Sequence, residues 1–387
     1  MKVPILDLKA QYQTIRDEVE RKVLDLLAAQ AFILGPEVEA LEKELAAYTG
    51  VRHAVGVSSG TDGLIISFMA LGIGPGDVVV TSPFSFFATA GAIARVGARP
   101  VFCDINEATY NLDPGRLEKA LKEAARHGRV KAVLPVHLYG QCADMDPIAE
   151  LADRHGAAVI EDACQSVGSE YPSRAGAKRA GAMGRMGVLS FYPSKNLSAA
   201  GDAGMVLTND ASLAEKLVAL RVHGGRELYS HDVVGGNFRL DAIQAAVLRV
   251  KLGRLDGWQA KRRERADFYS KRFISEALVE EGFVVVPAAV YKASGVVNYH
   301  TYHQYVIRAE QRDELRAFLK DKEIGTSVFY PLGLHLQKCF ADLGYRTGDF
   351  PVTEKASQEV LALPIYPELT PEMQDHVVFS ILEFYRR

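Results

Sequence analysis

The chain has 387 residues, of which 48% are hydrophobic, and its 45 Lys+Arg against 48 Asp+Glu give a formal net charge of −3. This is the composition of a soluble globular protein with a large core; it excludes disordered, collagen-like and coiled-coil chains. The densest basic run, KRRERA at 261–266, reads as a solvated helix face, so nucleic acid is not an expected partner.

In chain order, residues 12–29 predict an amphipathic helix, with Ile15, Val19, Val23, Leu26 and Leu27 near the 3.6-residue period. Gly35-Pro36 opens a second helix, and Gly50 closes it. An alternation follows. Strands are expected at 53–57, 78–81, 100–103, 130–136 and 157–161, with helices at 62–71, 87–96, 114–125 and 145–155 between them. Two further strands are expected at 188–191 and 205–208. Strands alternating with helices imply an α/β fold whose mostly parallel sheet is covered by helices.

The pattern changes near Asp241. A long strand-free helical stretch at 241–273 leads to strands at 284–287 and 301–308, and to helices at 311–321, 352–361 and 371–386. The expected division is a large α/β domain over 1–245, including the N-terminal helices, and a smaller C-terminal α+β domain over 246–387.

Cys103, Cys142, Cys164 and Cys339 form no C-x-x-C pair, which suits a reducing compartment and no metal ribbon. His137, His223, His303 and His335 have no spacing that points to a metal site. The N-terminus lacks the apolar core of a signal peptide, and no apolar run is long enough for a membrane span. The expectation is a cytoplasmic enzyme with no membrane partner.

Three segments carry chemistry. Ser58–Gly63 (SSGTDG) joins a strand to a helix, where small residues and a helix N-terminus can hold an anion or simply form an N-cap. VIEDACQS at 159–166 puts Asp162 at the C-terminal end of a parallel strand, free to hold a positive heteroatom or to cap a turn, while Glu161 points the other way. SFYPSKNL at 190–197 holds a lone lysine, Lys195, in a loop fixed by Pro193, either held for chemistry or simply an exposed loop lysine. Lysine is the side chain for carbonyl chemistry when its surroundings lower its pKa. Phe86 is available as a stacking ring or as a core aromatic. An anion cup, an aromatic, a strand-end carboxylate and a loop lysine together form the set that pyridoxal phosphate needs.

With these residues in view, the sequence resembles the DegT/DnrJ/EryC1/StrS family of sugar aminotransferases over essentially its whole length. The markers are FILGPEVEALE, SSGTDGL, LGIGPGD, LYGQCADM, VIEDACQS, SFYPSKNL, GDAG and GGNFRLDAIQAA. The resemblance implies the fold-type I architecture, pyridoxal 5'-phosphate as cofactor, and a homodimer with active sites at the subunit interface. Carried over, Lys195 matches the catalytic Schiff-base lysine, Asp162 the partner of the pyridine nitrogen, and Gln165 the neighbour of the phenolic oxygen. Phe86 matches the stacking ring, and Gly60, Thr61 and Ser190 the phosphate site. Asn237 matches an asparagine that the second subunit supplies to that phosphate. Arg239, Tyr330 and His335 fall where substrate is bound.

The implied reaction takes an amino group from glutamate to a nucleotide-linked keto-sugar. Within the family a glutamine at position 165 accompanies 3-keto sugars or keto-inositols, and a histidine 4-keto sugars. The expected substrate is therefore a UDP-3-keto-N-acetylhexosamine, for cell-surface polysaccharide or lipid A synthesis; a 4-keto sugar and a keto-inositol are the alternatives. Phe329 offers no charge to a sugar carboxylate, which favours a neutral sugar. Lys195 argues against the family's dehydratase branch, which carries histidine there, and a regulatory protein on the same fold is the non-enzymatic alternative. Two positions depart from the usual family pattern: Ser198 follows K-N-L in place of glycine, and Ala203 gives G-D-A-G. The segment 171–187 is longer and more basic than usual.

Overall fold

The alternating segments build one central sheet in a computed structural model that describes residues 1–227 and 229–387. Its strands are β1 (His53–Val57), β2 (Asp77–Thr81), β3 (Arg99–Phe102), β4 (Arg129–Leu134) and β5 (Ala158–Asp162). A short hairpin, β6 (Glu170–Ser173) and β7 (Gly176–Arg179), precedes β8 (Met186–Ser190) and β9 (Gly204–Thr208). The spatial order of the large sheet is β1-β9-β8-β5-β4-β2-β3. Neighbours from β3 to β8 pair in parallel, and β9 runs antiparallel to both β8 and β1. The mostly parallel sheet expected from the sequence is therefore present. Its strands are apolar because both faces are covered: β2 and β9 are buried at every position.

Helix Gly60–Ala70 packs on one face with Ala88–Arg95 and Ala211–Leu220, burying Leu64, Ile66, Phe68, Ile93 and Leu217. The other face is covered by Pro36–Thr49, Pro114–Ala124, Met145–Arg154 and Ala242–Leu252, through Leu41, Leu45, Leu117, Ile148 and Leu248. A second core surrounds an antiparallel sheet of Val284–Val285, Tyr305–Ala309 and Val360–Leu363. Tyr269, Phe273, Leu315, Leu319 and Ile381 fill it, and Val3 from the N-terminus joins them. Asp104, after β3, ties the two parts together. Its carboxyl accepts from the amides of Val352 (3.1 Å) and Thr353 (3.0 Å), capping helix Pro351–Glu359 from outside that helix.

Three expected helices differ, and the strand expected at 301–308 begins only at Tyr305. The 12–29 helix is two, Leu8–Gln13 and Arg16–Ala29, because Asp7 caps the first and Ile15 leaves helical geometry to be buried. The 241–273 stretch breaks at Gly253 into Ala242–Leu252 and Leu255–Ser275. The helix placed over 352–361 stops at Glu359, and Val360–Leu363 is a strand. Four consecutive apolar residues fit either state by periodicity, and pairing with Tyr305–Arg308 decides for the strand. Among the described residues no helix is long and apolar enough to cross a membrane.

Candidate active site

The carboxyl ends of β1, β5 and β8 open on one cavity of about 730 Å3, walled on the far side by residues 303–304, 329–332, 334 and 337. Open α/β sheets place ligands at this edge. Of the residues singled out in the sequence, Gly60, Thr61, Phe86, Asp162, Gln165, Ser190, Lys195 and Tyr330 line it.

The turn after β1 becomes a helix N-terminus. Ser59 is the N-cap, its Oγ accepting from the Asp62 amide at 3.0 Å, so the cap reading of this segment holds. The cap leaves the Gly60 and Thr61 amides with no acceptor inside the helix, beside the Ser190 wall. Such amides, with the helix dipole, form a site for an anion. Glycine is required at position 60 by space. A Cβ there would stand 2.8 Å from Ser190 Cβ and 2.9 Å from Cys164 Sγ.

Strand alternation splits the two carboxyls at the end of β5. Glu161 is buried away from the cavity, where it accepts from His137 Nε2 (2.8 Å) and from the amides of Gly181, Met183 and Gly184. Asp162 faces the cavity. Thr89 Oγ1 donates to its Oδ2 at 2.8 Å, and the Cys164 amide to Oδ1 at 3.3 Å. Gln165 is held at both ends: its Oε1 accepts from the Tyr139 amide (2.9 Å), and its Nε2 donates to the Tyr330 hydroxyl (2.9 Å). Burial raises the Tyr330 phenol well above the usual tyrosine range, so it stays protonated.

Lys195 closes a turn in which its amide donates to the Tyr192 carbonyl at 2.8 Å. No hydrogen bond or ion pair holds its Nζ among the described residues. Burial lowers its pKa from the ordinary 10.5, against the opposing pull of Cys164 and Asp162. The Phe86 ring is exposed at the mouth.

Three expected residues are not brought to this wall. Asn237 is exposed, on a segment that bridges Val222. Arg239 is half-buried, and its backbone bridges Val57. His335 is corrected from a sugar contact to a buried support: its Nε2 meets Glu354 Oε1 at 3.1 Å and its ring lies against Phe350, while Leu334 and Gln337 from the same turn reach the cavity. Conversely, Cys164, Tyr192, Asp202, His303 and Gln304 line the cavity without having been singled out for it, and Thr89 holds Asp162 from behind. The histidine between two tyrosines at 302–305 was the one readable signal among them.

An anion cup, a fixed carboxylate and an unengaged buried amine around one cavity are what a phosphorylated aldehyde with a basic ring nitrogen requires. The description "DegT/DnrJ/EryC1/StrS aminotransferase family" matches residues 13–382.

The chain belongs to this family.

It is a pyridoxal 5'-phosphate-dependent aminotransferase of fold type I. A Geobacillus stearothermophilus relative named a pleiotropic regulatory protein is 49% identical over 386 residues, covering 100% of this chain and 99% of its own length. The dTDP-3-amino-3,4,6-trideoxy-alpha-D-glucose transaminase of Streptomyces venezuelae is 40% identical, with coverage of 100% and 97%. The UDP-N-acetyl-3-dehydro-alpha-D-glucosamine 3-aminotransferase of Acidithiobacillus ferrooxidans is 40% identical, with coverage of 96% and 94%. Among solved structures, S. venezuelae DesV in complex with a ketimine intermediate superposes with a TM-score of 0.91 at 39% identity, covering 100% of this chain and 99% of that one. Bacillus subtilis NtdA with bound cofactor PMP gives 0.89 at 31% identity, covering 100% and 86%.

Proposed function

We propose that this aminotransferase moves an amino group from glutamate to C3 of a nucleotide-linked keto-sugar, a UDP-3-keto-N-acetylhexosamine. It would work in the cytoplasm as a homodimer, in the synthesis of a cell-surface polysaccharide or lipid A. The observation that carries the reading is the convergence of Lys195, Asp162 and Gln165 on one cavity. The UDP-sugar 3-aminotransferase and dTDP-3-amino-sugar transaminase relatives support C3.

When bound, the cofactor supplies an aldehyde for amine exchange and a ring that takes up carbanion charge. In this reading Asp162 holds the ring nitrogen, with Thr89 and the Cys164 amide keeping the carboxylate in place. The Gly60 and Thr61 amides and Ser190 hold the phosphate, with Asn237 arriving from the second subunit; Phe86 covers the ring. Gln165 is fixed by Tyr139 and Tyr330, so it can offer a hydrogen bond without reorganising. Lys195 moves the proton. Its burial keeps a usable fraction of free amine below the ordinary lysine range, so Nζ can accept a proton from a substrate carbon and return it. Arg239 and Tyr330 belong to the substrate side. Phe329 on the wall presents no charge, which fits a neutral sugar.

The test is spectroscopic. Protein loaded with pyridoxal phosphate is mixed separately with glutamate and with C3- and C4-amino nucleotide sugars, and the near-visible band is followed. Conversion by glutamate and by the C3-amino sugar is expected, with Lys195→Ala losing at least about a thousandfold in rate. Conversion by the C4-amino sugar alone would remove the reading of Gln165. The regulatory name of the 49%-identical relative keeps a second role open to the same assay: cofactor binding without conversion by any donor favours it.

A further inference from the structure

His303 lines the same cavity as Lys195, and its surroundings fix its protonation. Asn196, the next residue after the lysine, is buried and bonded at both ends of its amide. Its Nδ2 donates to the Thr301 carbonyl at 2.9 Å, which turns Oδ1 toward His303 Nδ1 at 3.3 Å. An amide oxygen only accepts, so Nδ1 carries the hydrogen and Nε2 carries a bare lone pair. Nε2 makes no hydrogen bond among the described residues. The segment holding the ring is itself clamped. The Thr301 amide donates to the Gly140 carbonyl (2.8 Å), and Arg262 Nη1 donates to the Tyr302 carbonyl (2.9 Å).

We propose that His303 is a positioning residue for Lys195: with Nδ1–H tied to Asn196, its free Nε2 is the acceptor that takes an N–H of the lysine amine during turnover, a bond the resting structure does not make, and so directs the nitrogen lone pair at the reacting carbon. No covalent bond is made or broken at His303. The charges around the pair suit this role. Burial, then the Lys195 charge, then Arg262 push the imidazole well below its ordinary value, so it stays a neutral acceptor and adds no second cation. Lys195 is faced by Cys164 and Asp162 from the β5 side, with Asp202 on the same cavity wall. Asn196 couples the two residues mechanically, since it follows Lys195 in the chain and bonds the segment that bears His303.

The inference rests on Lys195 as the reacting amine and is independent of the sugar. The first readout needs no bound cofactor. In the cofactor-free protein the rate of reductive methylation of Lys195 by formaldehyde is followed against pH by peptide mass spectrometry. Removing an acceptor destabilises the ammonium form, so His303→Leu is expected to lower the Lys195 midpoint by about one pH unit. In the loaded enzyme His303→Leu is expected to lower kcat about tenfold with KM within about twofold. His303→Gln, whose carbonyl oxygen can accept, is expected to recover most of both. A Lys195 midpoint equal to wild type in His303→Leu overturns the proposal, whether kcat is intact or lost through instability. If His303→Leu does not fold, a wild-type midpoint in Asn196→Leu, which frees the tautomer, overturns it equally. Failure of Lys195 itself shows separately, as retained turnover in Lys195→Ala.

Discussion

Single residues at this site are chosen by space as much as by chemistry. Gly60 is the clearest case, since any side chain there enters the volume of Ser190 and Cys164. Gly60→Ala is expected to weaken pyridoxal phosphate binding at least tenfold, about 1.4 kcal/mol, and to destabilise the fold by about 1–3 kcal/mol. Equilibrium dialysis together with urea unfolding checks both, and unchanged dialysis would remove the anion-cup reading of this turn. The two departures from the family pattern also have local accounts. Ser198 accepts from Lys251 Nζ at its carbonyl (2.8 Å) and its Oγ (3.0 Å), and burial lowers that lysine to about 8. Ala203 sits in the core beside the sheet, with its carbonyl accepting from the Phe191 amide at 2.8 Å. Neither departure breaks the backbone that carries Lys195.

At the scale of elements, the end of β5 is held by more than sheet pairing. The His137 amide donates to the Asp162 carbonyl, and the Asp162 amide to the Pro135 carbonyl, so pairing resumes at Val136–Asp162, three residues past the ladder to β4 that ends at Val133–Val159. Glu161 then fastens the 181–184 turn and the His137 ring, which fixes the opposite face of the strand from Asp162. Glu161→Ala leaves four donors without an acceptor, the His137 ring and the Gly181 amide buried and the Met183 and Gly184 amides half-buried, and is expected to cost at least about 3 kcal/mol in urea unfolding. A loss below about 1 kcal/mol would show that this knot does not hold the strand end. The long basic segment after β5 has the same structural character. It forms the β6–β7 hairpin, and its arginines are matched internally: Arg174 by Glu150, Arg179 by Glu170 and the Tyr48 carbonyl, Arg185 by Asp210. Its charge is therefore no sign of an anionic partner.

For the whole molecule, one chain does not bring every expected residue to the cavity. Asn237 is exposed away from that wall, while Phe86, Phe87, Tyr192, Val233 and Val234 are exposed apolar side chains. A second copy seated over them would supply the asparagine and cover these side chains. The expected consequence is complementation between Lys195→Ala and Asn237→Asp, each inactive alone. Random exchange of subunits puts half the chains in hybrids with one intact site in two, so about a quarter of wild-type activity should return. No recovery after confirmed exchange would place both residues in sites built from a single chain.

Local periodicity and near neighbours made legible the alternation of apolar strands and helices and the opposed directions of Glu161 and Asp162, while the turn at Ser58–Gly63 stayed open between an N-cap and an anion site. Contiguous motifs also made the family legible and singled out Lys195, Asp162 and Gln165, which line one cavity. The rest was decided by contacts between segments far apart in the chain. The reversed direction of β9 comes from pairing with β1 and β8, and the strand at Val360–Leu363 from its partner at Tyr305–Arg308. The burial of His335 depends on Glu354 and Phe350, and the place of His303 on the cavity of Lys195 depends on Asn196 and Thr301. No local pattern encodes such meetings, since only the packed chain sets which imidazole lines the cavity and which is sealed behind it.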